Sequence, residues 1–231
     1  MGSPRPRSDN TTHALGEALH VLRGDSGRAE HRLRGSERTL AAQVSFSADD
    51  FDATMRAAQG GDERAFATLF RSYNAALVRY LRVVAGAAVA DDLAAETWLD
   101  VVRGLRRFDG DEAGFRGWLF TIARRRHLDW RRKQGRRPVT VGDAALEQVA
   151  LGADPAGAFD EEHATRAALE LVATLPPEQA EVVALRAIAD LDVAEVARLV
   201  GKTTGAVRVL SHRGLHRLAD TLGAAVPPLE V

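Results

Sequence analysis

The chain has 231 residues, 45% hydrophobic and 27% charged, with a formal net charge of -1; that length suits one large domain or two small ones of ordinary globular composition. It contains no cysteine, which excludes disulfides, thiolate metal sites and a cysteine nucleophile. No apolar run approaches the roughly 18 residues of a membrane span, and the first residues show no signal-peptide pattern, so a cytoplasmic protein is the expectation.

Residues 1–46 are rich in Arg, Ser, Gly, Thr and His, with few apolar residues outside Ala14–Leu22. They are expected to form a disordered tail with room for one short helix over Ala14–Arg23. A first domain is expected over 47–137. Asp49 or Asp50 can cap a short helix carrying Phe51 and Met55, which Gly60-Gly61 ends. Asp62 then caps a long helix. Its apolar residues Phe66, Leu69, Phe70, Tyr73, Leu77, Tyr80, Leu81 and Val84 recur every three or four positions. A third helix is expected from Asp91-Asp92, striped by Leu93, Thr97, Val101, Leu105 and Phe108 and broken by Asp109-Gly110-Asp111. Acids suit a helix amino terminus because it carries partial positive charge. Asp91, Asp92 and Glu96 stand at i, i+1 and i+5, which does not converge on one ion, so no metal site is expected. A fourth helix, about Phe115 to Lys133, is apolar first (Trp118, Leu119, Phe120, Ile122, Ala123) and basic afterwards. No segment alternates with a strand's period of two. An all-α fold with a helical bundle as its first domain is therefore expected.

Residues 138–160 form the expected flexible linker, punctuated by Gly142, Gly152, Pro155 and Gly157. Charge is segregated around this point. Arg116 to Arg137 holds nine Lys or Arg and one acid, whereas Pro138 to Glu162 holds six acids and no Lys or Arg. A second small helical domain is expected over 161–223, followed by a tail over 224–231. Its first helix spans about Glu161–Ala173. Pro176-Pro177 turns the chain, because proline opens a helix but cannot continue one. A helix over Glu178–Ala189 follows, with Val182, Val183, Leu185 and Ile188 inward.

The next segments, Asp192–Val200 and about Thr204–Leu222, carry the most specific local signal. Asp192 and Glu195 match a capping box, and Gly201 stands where a left-handed residue must stop the helix. Ala197 is small enough for close helix approach, and Val196, Leu199, Val207 and Leu210 can fill the wedge. This pattern fits a helix-turn-helix, whose second helix enters a DNA major groove by its amino-terminal part. The outward candidates are Lys202, Thr203, Thr204, Arg208, Ser211, His212 and Arg213, all able to bond phosphates or base edges. A plain helical hairpin facing water is the bland alternative.

The run Arg124–Arg137 is the second nucleic-acid candidate. Each cation beside a phosphate releases counterions, giving salt-sensitive, sequence-independent binding. Trp130 interrupts the run and can stack on an unpaired base. Trp118 and Trp98 sit among apolar residues, where packing in the core or flanking a base pocket would both suit them. No Ser-His-Asp set, phosphate-cradling glycine loop or metal-ligand spacing is present, so neither an enzyme nor a cofactor is expected. A free-standing helix-turn-helix regulator and a purely protein-binding adaptor both remain open on these residues.

Three motifs in order resemble the sigma-70 family of RNA polymerase sigma factors, and within it the small extracytoplasmic-function group. Asp91-Asp-Leu-Ala-Ala-Glu-Thr-Trp98 resembles the motif that docks on the β′ clamp of core polymerase. Phe115-Arg-Gly-Trp-Leu-Phe-Thr-Ile-Ala-Arg124, with Leu128-Asp129 and Arg132-Lys133, resembles the segment that melts and reads the -10 element. Leu175-Pro-Pro-Glu-Gln179 and the helix-turn-helix up to Leu215 resemble the domain that reads the -35 element. The resemblance implies a non-catalytic specificity subunit that directs polymerase to promoters and assists melting. It implies polymerase contacts at Asp91, Asp92, Leu93, Glu96 and Thr97. It implies -10 contacts at Arg116, Trp118, Arg124, Arg125, His127, Trp130, Arg131, Arg132 and Lys133, with the loop Phe108–Gly114 as a base pocket. The -35 contacts are the outward residues given above. The implied partners are core polymerase (the β′ clamp and the β subunit) and promoter DNA, with an anti-sigma factor as candidate inhibitor and no membrane. Some positions depart from the common pattern. Ala95 stands where many members have Gln, Arg125 where many have Asn, and Arg208-Val209-Leu210 where Lys-Ser-Arg is common.

Overall fold

The computed structural model describes residues 48–135 and 158–225. The expected tail over 1–46 with its short helix, the linker up to residue 157 and the chain after residue 225 lie outside them. The described residues form eight helices and no strand.

Helix α1 (Ala48–Gln59) buries Phe51, Met55 and Ala58 and stops at Gly60-Gly61, where Gly61 takes φ 96°. Asp62 caps α2 (Glu63–Ala85), its carboxylate accepting from the backbone amides of Arg64 and Ala65 at 2.8 and 3.1 Å. Seven α2 side chains enter the core, among them Leu69, Tyr73, Leu77, Tyr80 and Leu81. Phe70, expected on that stripe, is 37% exposed, and Val83 is buried where Val84 was expected. Gly86, at φ 90°, both ends α2 and precedes α3 (Ala87–Leu105). That helix therefore starts four residues ahead of Asp91. The break comes from backbone freedom at glycine rather than from an acidic cap, and Asp91 and Asp92 lie in the second turn. Helix α4 (Glu112–Gly135) opens with Asp111 Oδ1 accepting from the Gly114 amide at 2.8 Å. Its Phe115 meets Phe51, Tyr73 and Phe108 at centroid separations of 5.2–5.9 Å, closing an aromatic core.

In the second half, α5 (Ala158–Ala173) leads through Leu175 and Pro176 to α6 (Pro177–Ala187). Asp192 caps α7 (Val193–Val200) in the expected capping box, with both reciprocal bonds at 2.7–2.8 Å. Gly201 ends α7 in the left-handed region at φ 70°. Helix α8 (Thr204–Ala225) packs on α6 and α7 and buries Val207 and Leu218. At their crossing, a Cβ added at Gly214 would stand 2.8 Å from Val183 Cγ2.

The two halves touch. Helix α2 packs against both α5 and α6, and α4 against α7, so the apolar residues of both halves join one cluster. The second half thereby reaches the basic helix of the first.

Candidate nucleic-acid interface

Helix α4 divides its side chains by turn. Phe115, Leu119, Phe120 and Ala123 face the core, and Arg125, Arg131, Arg132 and Lys133 are exposed. Exposed cations bordering one helix face can follow a phosphate backbone at little desolvation cost. Asp129 tempers this surface, accepting from Arg132 at 3.2 Å and lying 4.0 Å from Arg125. Trp130 is half-buried and lies over the His127 ring, 6.3 Å between centroids. His127 is only 4% exposed, so in this conformation it supports Trp130 from the core side rather than offering itself to DNA. Burial, and then the charges of Arg131 and Arg124, pushes its imidazolium down to about 4, and Nδ1 has no hydrogen-bond partner.

The expected base pocket is largely filled by its own loop. Phe108 is half-buried and stacks on Trp118 at 5.2 Å, and Gly104 leaves room on α3 for the Trp118 ring. Next to Trp118 lies a groove of about 370 Å³ bounded by Gly114, Gly117 and Thr121 on one side. Its other wall is Glu195, Arg198 and Leu199 of α7.

Two cations expected on DNA are paired across this boundary. Arg116 donates to Asp190 Oδ2 at 2.8 Å, with Glu112 at 3.4 Å on its other amino group. Arg124 Nε donates to Glu181 Oε1 at 2.9 Å, and the Tyr80 hydroxyl reaches the same oxygen at 3.4 Å. Burial, then the Glu181 charge, raises the Tyr80 phenol far above its ordinary value, so it stays a donor.

On α8, Thr204, Arg208, His212 and Arg213 are exposed on the first turns, and Ser211 is half-buried. Thr203 Oγ1 accepts from the Ala206 amide at 3.2 Å, which caps the helix and leaves the hydroxyl at its mouth. Lys202 is drawn back to Glu178 at 2.9 Å.

Sigma-70 region 2 matches residues 69–137, and Sigma-70 region 4 matches residues 165–218. The chain is 31% identical over 206 residues to the ECF RNA polymerase sigma factor SigD of Mycobacterium tuberculosis, covering 87% of this chain and 97% of SigD. The chain is an extracytoplasmic-function sigma factor. It is also 36% identical over 167 residues to the sigma factor BldN of Streptomyces coelicolor, spanning 71% of this chain and 63% of that one. Its fold resembles the sigma factor RpoE of Bartonella quintana, solved with the anti-sigma factor NepR, at TM-score 0.56 and 21% identity over 71% of this chain and 99% of that one. The family membership settles the choice against a free-standing regulator.

On the third face of this sigma factor, Asp91, Asp92 and Glu96 are exposed along α3, whereas Leu93 and Thr97 are buried. Thr97 spends its hydroxyl on the Leu93 carbonyl at 2.7 Å, so these two support the face from beneath. Arg126 links that face to α4, bonding Asp100 at 2.7 Å and Glu96 at 3.4 Å.

Sequence reasoning missed four exposed apolar side chains. Leu99 (55%) and Val102 (52%) stand on α3, and Phe70 leans on Trp98 at 5.0 Å. Val209 (48%) stands on α8 between the cations. The α8 position was open to detection, because Val209 lies one helical turn beyond Gly205 and one before Arg213. Among the described residues no helix is long and apolar enough to cross a membrane.

Proposed function

We propose that this sigma factor aims core RNA polymerase at promoters through two separate DNA contacts and performs no chemistry itself. The outer face of α4 takes the -10 element. Arg125, Arg131, Arg132 and Lys133 follow phosphates, Arg116 and Arg124 join them once released from their carboxylates, and Trp130 meets an unpaired base. The groove beside Trp118 receives a base that has left the stack. Unstacking costs a few kcal/mol, which the cationic face and the groove offset together.

Helix α8 takes the -35 element in the major groove. Arg208 and Arg213 have the forked donors that suit guanine, and Val209 suits a thymine methyl group. Thr203, Thr204, Ser211, His212 and Lys202 fix the helix on phosphates or base edges. The outer face of α3 docks on the β′ clamp, with Asp91, Asp92 and Glu96 as charged rim and Leu99 and Val102 as apolar centre. The second domain and linker engage the β subunit. Core polymerase and promoter DNA are thus the partners, in the cytoplasm, with an anti-sigma factor as candidate inhibitor.

The observation that carries this reading is the exposed, cation-bearing first half of α8 beside a second, independent cationic face on α4. The test is reconstitution with core polymerase on genomic DNA, reading start sites by transcript sequencing. The expected result is a discrete set of starts that core polymerase alone does not make. Arg213→Ala should lower those transcripts by about 10- to 100-fold, the range of one good bidentate contact. Identical starts with and without the chain would overturn the proposal.

A further inference from the structure

The exposed side of α8 carries chemistry that the -35 contacts do not use. His212 and His216 stand four residues apart on one helix face, with ring centroids at 6.1 Å and planes inclined by 46°. Two histidines at i and i+4 are the helical spacing that lets both rings reach one metal ion. That spacing stands against the expectation of no metal-ligand pattern in the chain. Both rings are open to solvent. An ion held at about 2 Å from one nitrogen of each ring places the centroids about 5–6 Å apart, so a small side-chain rotation closes the pair.

Asp220, one turn further along, decides the chemistry. Its Oδ2 lies 3.1 Å from His216 Nδ1. An ionised carboxylate only accepts, so Nδ1 donates and Nε2 of the neutral ring keeps its lone pair. A carboxylate on the far nitrogen of a ligating histidine fixes the tautomer and raises ligand basicity. Asp220 is also the only acid on α8. Among the described residues no third His, Asp or Glu joins the pair as a ligand. A tetrahedral ion would therefore keep two open positions. Imidazole nitrogen suits Zn2+ and its transition-metal neighbours, whereas Mg2+ and Ca2+ seek oxygen.

The place on the helix says what fills an open position. The amino-terminal part of a reading helix lies in the groove, and its far end passes the phosphate backbone. His212 is among the -35 residues and His216 lies one turn beyond them, so this step rests on the -35 assignment above. We propose that His212 and His216, with Asp220 orienting His216, form a Zn2+ site at the exit of the reading helix, and that the bound ion takes a promoter phosphate oxygen as a further ligand. The ion adds two positive charges where the helix leaves the groove.

The full chain is titrated with Zn2+ without DNA, and its seven histidines are followed by NMR through their ring signals, each assigned by its own His→Gln variant. The chain has no thiolate to compete for the ion. The His212 and His216 signals should shift together and saturate at one ion. His212→Gln and His216→Gln should each abolish the joint shift. Asp220→Asn, which leaves both ligands in place, should weaken the affinity about tenfold. Mg2+ should move neither ring. The second probe is a duplex carrying the -35 element of a promoter mapped in the reconstitution, read by fluorescence anisotropy at about 0.1 M salt. Zn2+ should raise the affinity of wild type about tenfold, the worth of one phosphate contact at that salt, and steepen the salt dependence by about one unit. His216→Gln, which is outside the -35 contacts, should match metal-free wild type and ignore the ion. Rings that do not move together would overturn the proposal, as would a wild-type duplex affinity that Zn2+ leaves unchanged. If the duplex is not bound specifically under either condition, the -35 assignment fails instead, and the ring signals still decide whether the ion is held.

Discussion

At His127, a single ring joins stability to pH. The unfolded chain titrates near the ordinary histidine value of 6.5, whereas the folded chain holds the ring neutral down to about 4. Between those values the unfolded state binds a proton that the folded state refuses, so stability is complete above the window and falls as pH drops through it. Chemical denaturation at pH 7 and pH 5 should show wild type losing about 2 kcal/mol more than His127→Gln, from ~1.4 kcal/mol per unit over ~1.5 units. Equal losses would mean that the ring is not held neutral. This burial was hidden in the sequence, where His127 sits inside a run of cations. Its inward place follows from the helical spacing Phe120, Ala123, His127, which continues the buried stripe past the point where composition turns basic. Val209, by contrast, could have been found. Its apolar character suggests core, yet Val207 and Leu210 already face inward and leave it outside.

At the scale of the element, helix boundaries were legible where a side chain makes the cap. Asp62, Asp192 with Glu195, and Gly201 all act on amides or turns within a few residues, so local pattern suffices. The start of α3 was misplaced because Gly86 breaks the chain with no side-chain cap. Tight crossings are invisible to local pattern, and Gly214 is the sharpest. Alanine there gains about 1 kcal/mol in helix propensity. Its Cβ would press on Val183 Cγ2 at 2.8 Å and Leu175 Cδ1 at 3.4 Å, both buried, where overpacking costs about 1–3 kcal/mol. The crowding offsets that gain or exceeds it, and Gly214→Ala should lose up to about 2 kcal/mol in thermal or urea unfolding. Gly205→Ala, where the nearest atom is Thr203 Oγ1 at 3.9 Å, should be neutral or slightly stabilising. A stable Gly214→Ala would show that α6 and α8 can slide apart.

At the scale of the whole molecule, two modest contacts on one chain act as a single bivalent grip only while their separation suits the DNA. Inserting five base pairs between the -35 and -10 elements turns one away by about half a helical turn. Run-off transcription should fall at least tenfold, whereas the same insertion upstream of -35 should do nothing. Equal output from both templates would mean that one domain suffices. The two modules and their order were readable from three separated motifs. Their mutual packing was not, because Arg124–Glu181 and Arg116–Asp190 join residues that no periodicity relates.

The apolar edge of α3 has a consequence for the fate of surplus copies. Leu99 and Val102 give water more than half of their surface, one turn apart on a single ridge. Under the proposed docking of α3 on the β′ clamp, that ridge would be dry in the assembly and wet in the free chain. On that proposal, copies made in excess of polymerase are expected to cluster or be degraded sooner than bound ones, tying the lifetime of the polypeptide to the abundance of its partner.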